Sequence, residues 1–128
     1  MLFLQAIKRY RIIYMNWNTL SQPNQLAQLD EESKNERVVI FKHSTRCNIS
    51  SAALNRIERK WKEEDDALVK PYYLDLLSYR QLSYEIAEKY GVEHQSPQVL
   101  IIENGKCIFS TTHFDITYDS LFQKEFTY

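Results

Sequence analysis

Two periods govern the apolar positions of this chain. Val38-Val39-Ile40-Phe41 is an unbroken β-favouring run bounded by charge, the pattern of a strand buried on both faces, and predicts a strand over about 37–43. From Cys47 onward the spacing changes to that of a helix. Ile49, Ala53, Ile57 and Trp61 recur every four residues with Ala52 and Leu54 beside them, while Arg56, Glu58, Arg59 and Lys62 take the opposite side. Cys47 therefore falls at the N-terminus of an amphipathic helix. Val69 to Leu76 is again rich in β-formers around Pro71, whose missing N–H predicts the start or the edge of a strand. Leu82, Ile86, Ala87 and Tyr90 mark a helix over about 79–90 that Gly91 ends with a left-handed cap. Val99–Ile102 and Cys107–Phe109 flank Asn104-Gly105, a strong hairpin signal. Upstream, Ser21-Gln22-Pro23 opens a helix with Leu26 and Leu29 inward and Ala27 beside them, fading in the polar run 30–35. Downstream, Tyr118, Leu121 and Phe122 predict a last helix before Phe126 and Tyr128.

The order is strand, helix, strand, helix, hairpin, helix behind an extra N-terminal helix. That is an α/β chain with a central mixed sheet flanked by helices, and it resembles the layout of the thioredoxin fold. A length of 128 residues and 44% hydrophobic content suit one compact domain, expected over 16–128. Residues 1–15 read as an N-terminal extension from an upstream start, because Met15 opens a second plausible beginning, MNWNTLSQ; a short surface helix is the other reading. Lys8, Arg9 and Arg11 break that segment well short of a membrane span, and its basic residues follow the apolar ones, unlike a signal peptide. No membrane association is expected. Sixteen basic against seventeen acidic residues give a net charge of -1, which offers a nucleic acid no electrostatic footprint. Two cysteines sixty residues apart are neither a disulfide framework nor a metal cluster, and a cytoplasmic location is expected.

The chemistry centres on Cys47. A thiol at the first turn of a helix meets unpaired backbone N–H groups and the positive end of the dipole, which favour thiolate over thiol. Arg46 adds a fixed positive charge beside it, and Asn48 and Ser50 offer polar groups to a sulfur anion or an incoming substrate. A dithiol site needs a second cysteine three positions on, and Ser50 stands there, so monothiol exchange is the expected chemistry. Ser96-Pro97, just before a buried strand, is expected to be cis and to border the substrate. Cys107, amid Ile108 and Phe109, reads as core filler rather than a distant resolving thiol. His43 reads as an ordinary loop residue rather than one orienting a substrate. With only His94 and His113 besides, no metal site is expected.

Phe41-Lys42-His43-Ser44-Thr45-Arg46-Cys47-Asn48-Ile49-Ser50, with Ser96-Pro97-Gln98 downstream, resembles the YtxJ family, the monothiol bacilliredoxins, over about residues 16–122. The resemblance implies a thioredoxin fold and a cytoplasmic oxidoreductase that removes bacillithiol from S-bacillithiolated client proteins, with Cys47 receiving it. Ser50 and Pro97 carry over as site residues. No tightly bound cofactor is implied; bacillithiol is the thiol co-substrate, and a low-molecular-weight thiol or partner reductase resets the protein. The chain departs from the family's Thr-Cys-Pro-Ile-Ser at Arg46 for Thr and Asn48 for Pro, which leaves an extra N–H at the helix start. Two alternatives stand beside this reading: a non-catalytic thioredoxin-fold binding module, and a monothiol glutaredoxin-like protein using another small thiol.

Overall fold

Strand and hairpin propensity assemble one five-stranded sheet whose two faces are covered by helices placed between successive strands. The structure, a computed structural model, describes residues 15–123. The sheet comprises β1 (Asn18–Thr19), β2 (Arg37–His43), β3 (Val69–Asp75), β4 (Gln98–Glu103) and β5 (Lys106–Thr112). Their order is β1-β3-β2-β4-β5, with β1 and β2 parallel to β3, and β4 antiparallel to both β2 and its hairpin partner β5. Among the described residues three α-helices complete it: α1 (Gln25–Glu32), α2 (Asn48–Lys60) and α3 (Arg80–Tyr90).

The central position of β2 explains its unbroken apolar run, and side-chain alternation divides that run between two cores. Val38 and Ile40 join Leu26 and Leu29 of α1, Leu82 and Ile86 of α3, and Leu100 and Ile102 of β4. Val39 and Phe41 join Ala53 and Ile57 of α2, Trp61, Val99, Ile101 and the C-terminal Ile116 and Leu121. The same alternation sends Lys42 to the α1/α3 face and His43 to the α2 face. At the hairpin, Asn104 and Gly105 both have positive φ, 51° and 73°, the geometry of a two-residue turn that follows strand twist. Gly91, at φ 67°, caps α3 as expected.

Four details differ from the sequence reading. Pro71 is neither at the start nor at the edge of its strand: β3 lies between β2 and β1, and Pro71 pairs with Val39. Its carbonyl accepts the Asn18 side-chain amide at 3.1 Å, so its missing donor also faces the β1 side, where main-chain pairing begins only at Tyr72. The short β1 was not anticipated, since Asn18-Thr19 carries no strand pattern of its own. Ala27 is exposed, because the buried stripe of so short a helix reduces to Leu26 and Leu29. The last helix is replaced, among the described residues, by two 3-10 turns, His113–Asp115 and Asp119–Phe122; Leu121, the buried apolar residue of the second, anchors it against the core without requiring a full helix. The leading segment 1–14 and the aromatic pair Phe126 and Tyr128 lie outside the described residues. Met15, placed with the extension on sequence, is buried in the α2-side core.

Candidate active site

Cys47 is the N-cap of α2, with extended backbone (φ -105°, ψ 118°) and no side-chain capping bond. Its carbonyl accepts the Ser51 N–H at 3.0 Å, the first bond of the helix, and its own N–H donates to the Ser44 carbonyl at 3.1 Å. The thiol is half-buried and free. Asn48 occupies the first helical position, where proline would leave no spare N–H. Arg46 and Asn48 are both exposed on either side of the cysteine, open to an incoming group.

Ser50 behaves differently from its expected role as a substrate contact. It is wholly buried, its Oγ lies 2.5 Å from His43 Nδ1, and it accepts the Ser44 N–H at 3.1 Å. The hydroxyl therefore faces the protein and ties the loop to the helix. His43 is likewise buried rather than a loop residue, stacked within 5.7 Å of Phe41 and 5.5 Å of Tyr73. Burial lowers its pKa, opposed by the Asp75 carboxylate.

The Ser96–Pro97 peptide is cis, and Pro97 immediately precedes β4. Because Gln98 pairs with Lys42, Pro97 lies at the same end of the sheet as His43 and the 44–47 loop. Pro97 is buried and Ser96 half-buried. The chain after β5 returns to this end: the His113 N–H donates to the Pro97 carbonyl at 3.2 Å, while Arg56 of α2 holds the His113 carbonyl at 3.1 Å and the Ile116 carbonyl at 3.0 Å. His113 pays for this bracing with a left-handed φ of 51°. Three large apolar side chains are exposed at the same end: Ile49 (37%), Leu77 (44%) and Phe114 (74%). Ile49 follows Cys47 by two positions, Leu77 follows Leu76, whose N–H bonds the His43 carbonyl, and Phe114 follows His113.

On the α3 face the site end holds a second buried polar group. Lys42 is fully buried and donates to the Ser83 carbonyl at 3.1 Å; burial brings its pKa down to about 8. Ser83 Oγ meets His94 Nδ1 at 2.8 Å, and Gln98 donates to the Glu93 carbonyl at 2.9 Å. Among the described residues no group of three or more His, Cys, Asp or Glu is placed to hold a metal ion, and no helix is long and apolar enough to cross a membrane.

Residues 18–121 match the family model of the monothiol bacilliredoxin BrxC. This chain belongs to the monothiol bacilliredoxin family. A solved thioredoxin-fold structure assigned as an oxidoreductase is 36% identical, covering 81% of this chain and 88% of its own, with a TM-score of 0.70. Thioredoxins of Malassezia sympodialis and Fasciola hepatica share the fold at 19% and 18% identity, with TM-scores of 0.64 and 0.62. The first covers 78% of this chain and 81% of its own, the second 82% and 92%. Bacilliredoxin membership and the thioredoxin fold together support thiol redox chemistry.

Sequence reasoning placed Cys47 at a helix start and Pro97 in a cis bond, as the structure does, but set His43 aside as a loop residue and passed over Lys42, Arg56 and His113, which shape their surroundings. A signal existed for the first two. Lys42 and His43 directly continue a strand already read as buried on both faces, so both were due to be buried as well. Nothing local announces that Arg56 and His113 meet, because that contact spans 57 residues.

Proposed function

We propose that this chain is a monothiol bacilliredoxin in activity as well as in family, removing bacillithiol from S-bacillithiolated proteins. The observation that carries the reading is a single thiol, Cys47, at the first turn of α2, with a buried serine in place of a resolving cysteine. The Cys47 thiolate attacks the bacillithiol sulfur of the client's mixed disulfide. That S–S bond breaks, a new one forms between Cys47 and bacillithiol, and the client sulfur leaves as a thiolate that takes a proton. Oxidation state is conserved overall. A second low-molecular-weight thiol then attacks the Cys47 disulfide, departs as a disulfide with bacillithiol and returns the Cys47 thiol; no tightly bound cofactor takes part.

The apolar rim of Ile49, Leu77 and Phe114 supports a protein client over a small disulfide alone, since exposed apolar side chains grouped at one end suit docking of another chain. The reading is checked by intact mass of the reduced protein mixed with an S-bacillithiolated test protein. The expected result is gain of one bacillithiol here, its loss from the test protein, and neither event with Cys47→Ser. If no mass moves although a small thiol reduces the same test disulfide, the activity is refuted and a non-catalytic binding module takes its place.

A further inference from the structure

We propose that His43 is a positioning residue for the Cys47 thiol, acting through the Ser50 hydroxyl, which a neutral His43 ring holds in the orientation that also receives the Ser44 amide. The proposal rests on Cys47 being the reacting thiol and not on the identity of the small thiol it carries.

The argument is one of proton counting. Ser50 Oγ has two close partners, the Ser44 N–H at 3.1 Å and His43 Nδ1 at 2.5 Å. The Ser44 amide can only donate, so Oγ accepts from it and retains its own proton for one acceptor. Unprotonated Nδ1 is that acceptor. Were Nδ1 protonated, Oγ would face two donors while its own proton sought a new acceptor at a site wholly shielded from water. The complete arrangement is therefore a neutral ring with its proton on Nε2. Burial favours the same state, against the opposing charge of Asp75 at the end of β3.

The effect reaches Cys47 through Ser44. Its amide is bound by Ser50 and its carbonyl by the Cys47 N–H, so the peptide groups on both sides of Ser44 are tied to the first turn of α2. The ring itself is set by Phe41 on β2 and Tyr73 on β3, and the neighbouring Trp17 packs on both and donates to Glu58 of α2 at 3.1 Å. The charged groups around the ring are thus Asp75 on β3 and, beyond Trp17, Glu58 on α2. Protonating His43 makes Nδ1 a donor and removes the acceptor that orients Ser50, which loosens the hold on the loop carrying Cys47.

The test is the rate of Cys47 alkylation by iodoacetamide, read by mass from about pH 5 to about pH 9 in the full chain carrying Cys107→Ser. The unaltered His43 background departs from a single-thiol titration curve on the acid side, below about pH 6.5. His43→Phe keeps the ring packing but removes Nδ1, and slows alkylation about three- to tenfold near neutral pH, the size of losing a helix cap. It also follows a single-thiol curve. Ser50→Ala slows the reaction to the same degree, and the double variant is no slower than either, because both cut one linkage. His43→Asn places an amide oxygen near the Nδ1 position; it restores the neutral-pH rate but lacks the acid-side departure. The proposal is overturned if His43→Phe superimposes on the background or if the two losses multiply. Should His43→Phe not fold, Ser50→Ala at the background rate overturns it equally. Loss of bacillithiol transfer with these results intact refutes the proposed substrate and leaves the positioning role standing.

Discussion

The two ends of the sheet carry one cysteine each and are built on opposite principles. At the hairpin end charged groups are paired: Arg37 with Glu103 at 3.2 Å, Lys34 with Glu31 at 2.9 Å, and Lys70 with Glu32. Cys107 donates to the Phe109 carbonyl at 3.3 Å, packs against the α1/α3 core, and has its thiol pKa raised by burial. At the site end, by contrast, a buried lysine and a buried histidine have, among the described residues, no carboxylate hydrogen-bonded to them, and three large apolar side chains, Ile49, Leu77 and Phe114, face outward where the hairpin end exposes Leu68. Stability is given up at the end that carries the candidate site. The ends are also too far apart to cooperate through a disulfide. Cys107 pairs through Ile102 with Val38, whereas Cys47 lies beyond His43, about 16 Å further along the strand direction. A disulfide requires Cα atoms within about 7 Å.

The largest expected effect tests this division directly. Cys47→Ser abolishes thiol transfer, and Cys107→Ser leaves its rate within about twofold of the wild type, measured by loss of label from a mixed-disulfide test protein. A tenfold loss on Cys107→Ser would mean that the hairpin-end cysteine resolves the site after all, and the comparison would break.

Lys42 sharpens the same contrast through stability. Its folded pKa of about 8 lies below the unfolded value, so burial penalises the charged form. That penalty is fully present below about pH 8 and is relieved as pH rises toward about 10.4, where the unfolded lysine also loses its proton. Lys42→Met removes the cation while keeping most of the volume, and is expected to stabilise the fold by about 1–3 kcal/mol near neutral pH. Urea midpoints at several pH values decide it. The wild type gains stability relative to Lys42→Met between about pH 8 and about pH 10, and parallel curves would show that Lys42 carries no such penalty.

The contrast also explains how much was legible in the sequence. Local patterns decided β2, α2, α3 and the hairpin because each is fixed by its own periodicity or turn chemistry. The candidate site was legible where local sequence alone fixes a residue's place, as with Cys47 at a helix start. It was not legible where the meaning of a residue depends on a distant partner. Ser50 looks like a polar group offered to substrate until His43 is seen to hold it inward, and His113 looks inert until Arg56 and Pro97 converge on it. The final helix failed for a related reason. An amphipathic count over few residues cannot separate a helix from 3-10 turns anchored by a single leucine.

The smallest effects belong to the hairpin end, and they ask whether it is only a support. Ser33 is buried there; its Oγ donates to the Asp30 carbonyl at 2.6 Å and accepts the Gly105 N–H at 2.8 Å, tying the end of α1 to the turn. Ser33→Ala leaves the Gly105 amide short of a partner and is expected to cost about 1–2 kcal/mol. Gly105→Ala costs about 1 kcal/mol for a different reason. A Cβ there would come no nearer than 4.0 Å to Asp30 Cγ, so the penalty is the left-handed backbone alone and not a clash. Both variants are expected to lower the urea midpoint while thiol transfer per folded molecule stays unchanged. If either slows transfer more than about twofold, the hairpin end is coupled to Cys47 through β4, which runs from this turn to Pro97, and the two ends cannot be treated as independent.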